Sequence, residues 1–214
     1  MRVTKIERQK KHPARKSVFL DGNFAFGISD DVLLKHGLHE GAELTPAEAE
    51  TIQKAEGEET AKQKALRYLA IRPRSRKEIR DYLSKKEYTE EVAATVIHRL
   101  EELKLLDDAE FARMVCRDMI AKKPAGEKLL RQSLVRKGVP KPLIDTILPE
   151  FFTPESELAL ALKAAEKQQA RMERSSRRID ETRSRKKIVE YLVRHGFNYE
   201  TALKATRTVT PNDP

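Results

Sequence analysis

Basic side chains are the residues of this chain whose type and placement suggest chemistry. Arg72, Arg74, Arg76, Lys77 and Arg80 gather at one break between helical patterns. Lys122, Lys123, Lys128 and Arg131 gather at a second break, with Arg136 and Lys137 one helix further on. Arg183, Arg185, Lys186 and Lys187 form a third group. A single cluster of this kind is ordinarily a solvated helix face. Recurrence at equivalent places of a repeating chain lays positive charge along one side, which suits sequence-independent attachment to a phosphate backbone or an acidic groove. Aromatic residues are scarce in the sequence beside these clusters, so base stacking is not expected to contribute strongly. The bulk charge points the same way: 43 Lys and Arg against 34 Asp and Glu give +9 over 214 residues. Such a balance fits a polyanionic partner, and nucleic acid is the commonest one.

Other chemistry finds little support. His12, His36, His39, His98 and His195 are scattered without metal-ligand spacing, so no metal is expected. Cys116, the one cysteine, lies four residues from both Ala112 and Ile120 on one helical stripe and reads as a small core residue rather than a nucleophile. A lone cysteine also excludes an intrachain disulfide and fits a reducing compartment. Gly126-Glu127-Lys128 lacks the upstream glycine, the following Ser or Thr and the preceding strand of a phosphate-binding loop. Asp107 and Asp108 are explained by helix capping. The chain reads as a non-enzyme without cofactor. Neither a signal peptide nor an apolar run of membrane-spanning length is legible, so a cytoplasmic protein is expected.

The elements that must position the basic groups form a repeat. Leu83-Ser84-Lys85-Lys86-Glu87-Tyr88-Thr89, Leu134-Val135-Arg136-Lys137-Gly138-Val139-Pro140 and Leu192-Val193-Arg194-His195-Gly196-Phe197-Asn198 each read as a helix end, a tight turn and a capped helix start. Their leucines stand 51 and 58 residues apart. Arg72-Pro73-Arg74-Ser75 and Lys123-Pro124-Ala125-Gly126 repeat the preceding break, again 51 residues apart. The pattern predicts a mainly α protein, an elongated array of three three-helix, helix-turn-helix-like repeats. These would cover 58–106, 107–152 and 153–214, the last carrying a basic insert at about 171–187 and a frayed end from Thr208. Among the inward residues expected are Leu66, Leu69, Ile79, Leu83, Val96, Ile97, Leu100 and Leu103 in the first repeat, Phe111, Leu130, Leu134 and Ile144 in the second, and Leu158, Leu162, Ile188, Leu192 and Val193 in the third. Glu87 stands where the later repeats have Gly138 and Gly196, so the first turn is expected to close differently.

Residues 1–57 differ in kind. Ser17–Leu20 and Phe24–Ile28 flank Asp21-Gly22, a two-residue hairpin signal, while residues 3–8 alternate only weakly. Ser29 should cap a short helix reaching Leu34, and Thr45-Pro46-Ala47-Glu48 should open an acidic helix ending near Lys54, with Gly57 as a joint. A β-hairpin with short helices therefore precedes the array.

The run Tyr68-Leu69-Ala70-Ile71-Arg72-Pro73-Arg74-Ser75-Arg76-Lys77-Glu78-Ile79 resembles the start of the RecX family of bacterial recombination regulators, as does Leu106-Asp107-Asp108-Ala109-Glu110-Phe111-Ala112. Gly126 to Gly138, ending in Arg136-Lys137-Gly138, is similar to that family's next block. The resemblance is closest over about 60–150 and looser in the third repeat, and the N-terminal segment is similar to an extension of some members. It implies a regulator that binds the nucleoprotein filament of the RecA recombinase in its helical groove and suppresses filament growth, ATP hydrolysis and strand exchange. The basic residues named above would then meet single-stranded DNA, as a further option double-stranded DNA, or acidic RecA surface. A helix-turn-helix transcriptional regulator is the alternative. Such readers usually dimerise, whereas no coiled coil or other dimer element is legible and a monomer is expected.

Overall fold

The structure, a computed structural model, describes residues 1–10, 14–174 and 181–210. His12, part of the basic insert and the last four residues lie outside that set. Two compact units result: Met1–Pro73 with Ile79–Leu105, and Arg74–Glu78 with Leu106 onward.

The first unit opens with three antiparallel strands, β1 (Val3–Arg8), β2 (Arg15–Leu20) and β3 (Asn23–Ser29), in that order. The expected hairpin is therefore two strands of a three-stranded sheet, β1 having been hidden by its polar outer face. Asp21 and Gly22 both take positive φ (50° and 86°), the backbone of the tight turn whose twist matches the strands. Val18, Leu20, Phe26 and Ile28 point to one side and pack with Val3, Val32, Leu33, Leu38 and Ile52. Two helices cover that face. Helix α1 (Asp30–Lys35) is capped by Ser29, whose hydroxyl accepts from the Val32 amide. Helix α2 (Pro46–Leu69) opens on the full Thr45–Glu48 capping box.

Gly57 is not a joint. It lies inside α2, which runs unbroken for 24 residues. One glycine costs a helix only about 1 kcal/mol relative to alanine, and the buried stripe Ala49, Ile52, Glu56, Ala61, Ala65 continues across it. Glu56, 6% exposed, secures that region. Its carboxylate accepts from the Ser29 amide and hydroxyl (2.7 and 2.8 Å) and from Thr60 Oγ1 (3.0 Å), and pairs with Arg15 at 2.8 Å. A buried carboxylate is tolerated when its oxygens are satisfied in this way.

Helix α3 (Arg76–Ser84) buries Ile79 and Leu83, and α4 (Glu90–Glu102), packed on α2, buries Ala93, Val96, Ile97 and Leu100. Leu103, expected inside, is 46% exposed, because it caps α4 where the chain reverses through Lys104 (φ 55°). Tyr68 and Tyr82 stack with centroids 4.1 Å apart and planes 8° from parallel.

In the second unit α5 (Asp108–Lys122), α6 (Glu127–Arg136) and α7 (Lys141–Ile147), with a 3₁₀ turn at Leu148–Glu150, enclose Phe111, Ala112, Val115, Cys116, Leu130, Leu134, Val139, Ile144, Ile147 and Leu148. Burial pushes the Cys116 thiol up to about 11, so the cysteine is core and unreactive, as its stripe implies. Helices α8 (Pro154–Glu173), α9 (Glu181–Arg194) and α10 (Tyr199–Val209) form a further bundle around Ala161, Ala164, Ala165, Ile188, Leu192, Phe197, Ala202 and Ala205. Alanines line both α8 and α10, which pack on each other; short side chains let two helices approach closely. Leu158 and Leu162 only flank this core. Val193 turns outward, one residue past the buried Leu192 on the helical wheel. Thr208 to Thr210, expected to fray, are tied: Thr210 is buried, and its hydroxyl donates to the Thr206 carbonyl at 2.8 Å.

All three repeated turns close alike. Tyr88, Val139 and Phe197 donate their amides to the carbonyls of Leu83, Leu134 and Leu192 (3.2, 3.1 and 3.2 Å), while Glu87, Gly138 and Gly196 donate to Ser84, Val135 and Val193. This pair of bonds is the left-handed helix stop. Glu87 adopts φ 64° where the glycines have 79° and 87°, so the expected difference in closure is corrected: the turn keeps its geometry and the residue carries the strain.

Candidate nucleic-acid interface

The fifteen basic residues divide by what holds them. Several are engaged. Arg80 pairs with Glu90 at 2.9 Å. Arg131 pairs with Glu127 at 2.9 Å and also with Asp145. Arg185 donates from Nη2 to the Thr210 carbonyl at 2.9 Å and from Nε to its hydroxyl, and so secures the end of α10. Lys137 lies 3.9 Å from Glu78 and over the Phe111 ring. Arg72 donates to the Pro73 carbonyl at 2.8 Å. Arg74 is half-buried, and the exposed Arg76 donates its backbone amide to Asp108 at 2.9 Å. The aliphatic chain of Lys77 covers Gly138, where a Cβ would fall 2.2 Å from it. Lys122, Lys128, Arg136, Arg183, Lys186 and Lys187 are exposed and make no ion pair among the described residues.

The exposed cations are ordered by the repeat. On α6, Lys128, Gln132 and Arg136 follow one another at four-residue steps on the outer face, beside Val135, which is 56% exposed. On α9 the positions 58 residues on are Lys186, Glu190, Arg194 and Val193, the valine 43% exposed. On α3 and its end the positions 51 residues back are Lys77, Asp81, Lys85 and Ser84, all exposed. Each second helix thus carries a cation at both ends of one solvent face. At 1.5 Å per residue these are about 12 Å apart. Lys85 and Arg194 were missed in the sequence reading, although the same two offsets locate them.

A second grouping joins residues far apart in sequence. The Lys123 ammonium stands 5.6 Å from the centroid of the Tyr191 ring. The His195 ring lies 4.0 Å from that of Tyr191, tilted by 33°. His195 Nδ1 sits 2.6 Å from the Tyr191 carbonyl, which can only accept, so Nδ1 carries the proton. Burial, with Lys123 and Arg194 nearby, holds the imidazole below its usual pKa of 6.5, against the pull of that hydrogen bond. Burial raises the Tyr191 phenol, opposed by Arg171. An aromatic pair rimmed by cations therefore does stand beside the second cluster, contrary to the expected scarcity of aromatics there.

Three family models match: the regulatory protein RecX N-terminal domain over residues 1–45, the RecX first three-helix domain over 61–100 and the RecX second three-helix domain over 107–148. A regulatory protein RecX of Listeria monocytogenes serotype 4a (strain HCC23) is 30% identical over 210 residues, which cover 98% of this chain and 76% of the relative. The chain belongs to the RecX family of regulatory proteins. A Staphylococcus aureus (strain Newman) RecX is 32% identical over 200 residues, covering 94% of this chain and 71% of its own. A crystal structure of regulatory protein RecX superposes with a TM-score of 0.78 at 30% identity, over 95% of this chain and 98% of that one. RecX from Lactobacillus salivarius shares the fold, with a TM-score of 0.65 at 24% identity. RecX proteins are regulators and not enzymes. Among the described residues no group of three His, Cys, Asp or Glu side chains forms a metal site, and no helix is long and apolar enough to cross a membrane.

Proposed function

We propose that this RecX-family chain regulates RecA by lying along the RecA–single-stranded-DNA filament as a monomer in the cytoplasm. There it limits filament extension, ATP hydrolysis and strand exchange. The cation pairs on the outer faces of the second helices meet DNA phosphates, single-stranded or double-stranded, or acidic RecA surface, without reading base sequence. The observation that carries this reading is the recurrence of one exposed pair, Lys77/Lys85, Lys128/Arg136 and Lys186/Arg194, at the repeat's own offsets. Charges needed only for solubility have no reason to keep that register. Three repeat-spaced pairs can follow a partner that is itself periodic, as a filament is.

The test is RecA-dependent ATP hydrolysis on single-stranded DNA, with and without the protein. Wild type is expected to suppress it. A variant carrying Lys128→Glu, Arg136→Glu, Lys186→Glu and Arg194→Glu should suppress it at least tenfold less effectively with unchanged helicity. Full suppression by that variant would remove these faces from the mechanism.

A further inference from the structure

The outer helix faces account for attachment to phosphate, but not for the aromatic pair beside Lys123. Three stretches of the second unit converge there: the α5–α6 break with Lys123, the end of α8 with Arg171, and the last turn of α9 with Tyr191, Arg194 and His195. The approach of the break to that turn is fixed by backbone. The Gly126 amide donates to the His195 carbonyl at 2.9 Å and the Lys128 amide to the Gly196 carbonyl at 3.1 Å. A Cβ on Gly126 would fall 2.2 Å from the Phe197 nitrogen, and one on Gly196 2.3 Å from the Leu129 nitrogen. The two rings are thus held on a rigid joint and not on a loose loop.

Their surroundings restrict what they can receive. Tyr191 and His195 are both half-buried, and Tyr191 packs on one side against the apolar core of the α8–α10 bundle. Lys123, Arg171 and Arg194 are exposed, and the charged groups acting on the two rings are these three cations. The nearby Glu127 is engaged by Arg131 at 2.9 Å. A partner of this locus must offer a flat π surface to the rings and negative charge to the rim. A nucleotide of a single strand offers both; a duplex keeps its bases stacked and offers only the charge.

We propose that Tyr191 and His195, rimmed by Lys123, Arg171 and Arg194, receive one unstacked base of single-stranded DNA, with the flanking phosphates on the rim. The site rests on the nucleic-acid reading above and adds to it a preference for single strands over duplex, without preference among bases. The Lys123 ammonium, which lies over the ring in the free protein, moves aside to a phosphate as the base enters.

Fluorescence anisotropy of the full chain tests this with labelled oligothymidylate and the same oligonucleotide made abasic throughout. Wild type should bind the thymidylate roughly tenfold more tightly, the usual worth of one stacked base. Tyr191→Leu should lose that ratio while keeping its affinity for the abasic strand, and Tyr191→Phe should retain the ratio. Equal binding of both strands by wild type, or an equal loss on both in Tyr191→Leu, overturns the stacking site and leaves phosphate attachment standing. Binding of neither strand overturns the nucleic-acid reading itself. If Tyr191→Leu does not fold, photocrosslinking of wild type to a 5-bromouracil strand replaces it. Attachment at Tyr191 or His195 supports the site, and attachment only elsewhere overturns it.

Discussion

The Ser75 hydroxyl donates to the Lys137 carbonyl at 2.5 Å and accepts from the Glu78 amide at 3.1 Å. One buried side chain thus caps α3 and ties the segment Arg74–Glu78 to the turn after α6. The same joint recurs 51 and 58 residues on: Gly126, at the next break, donates its amide to the carbonyl of His195 in the next turn. What repeats is therefore the contact between one three-helix group's break and the following group's turn, as well as the helices. A side-chain hydroxyl makes it once and a backbone amide makes it the second time.

Ser75→Ala removes a cap and leaves the Lys137 carbonyl without its donor at a site that is 0% exposed. A loss of about 1–3 kcal/mol follows. Gly126→Ala should cost more, since its methyl would meet backbone and no flexible side chain could yield. Urea titrations of both variants, followed by far-UV circular dichroism, check that order. A loss for Ser75→Ala below a few tenths of a kcal/mol would show that the joint contributes nothing.

Glu87 is a non-glycine residue in the left-handed region, at a position where its two equivalents are glycine. Relief of that strain is worth about 1–2 kcal/mol, offset by the larger unfolded-state freedom of glycine, about 0.4–1 kcal/mol. Glu87→Gly should raise stability by about 0.5–1 kcal/mol. Gly138→Ala and Gly196→Ala should both destabilise, Gly196→Ala the more, because a Cβ there falls 2.3 Å from the Leu129 backbone nitrogen. Melting temperatures of the three variants should rank in that order.

His195 titrates below its usual value because burial and neighbouring cations disfavour the imidazolium. The unfolded chain therefore takes up a proton at higher pH than the folded one. The stability this group supplies is complete above about pH 6.5 and is lost as pH falls through the folded value. Wild type should lose more melting temperature between pH 7 and pH 5 than His195→Gln does. A parallel decline would contradict the assignment.

The helix starts were legible because they are local. Thr45, Thr89, Asp107, Thr153 and Asn198 all cap the helices their types announce, each accepting backbone amides two or three residues ahead. Gly57 misled because helix continuity across it depends on α2 packing against β3 and α4, which no window of sequence contains. Clustering of the basic residues could not show their intramolecular partners for the same reason. Arg131 and Arg185 read like their neighbours, yet Asp145 and Thr210 claim them from 14 and 25 residues away. Lys123 and Tyr191 could not be paired from sequence, because their meeting needs the turn after α9 to reach the break before α6. The repeat offsets were the one long-range signal available. Applied to single positions instead of clusters, they would have found Lys85 and Arg194.

Those offsets give the sharpest test of the interface. Each phosphate contact on a single strand contributes about 0.7 to the slope of log affinity against log salt. Lys128→Gln, Arg136→Gln, Lys186→Gln and Arg194→Gln should each weaken binding to single-stranded DNA and flatten that slope by about 0.7, independently of base sequence. Arg131→Gln should leave the slope unchanged, because its guanidinium is already shared between Glu127 and Asp145; its cost should appear in stability instead. Arg131 lies on the same helix as Lys128 and Arg136, so a mechanism that needed only net positive charge would treat all three alike. Equal slopes lost at Arg131 and Arg136 would therefore reject an ordered face in favour of diffuse attraction.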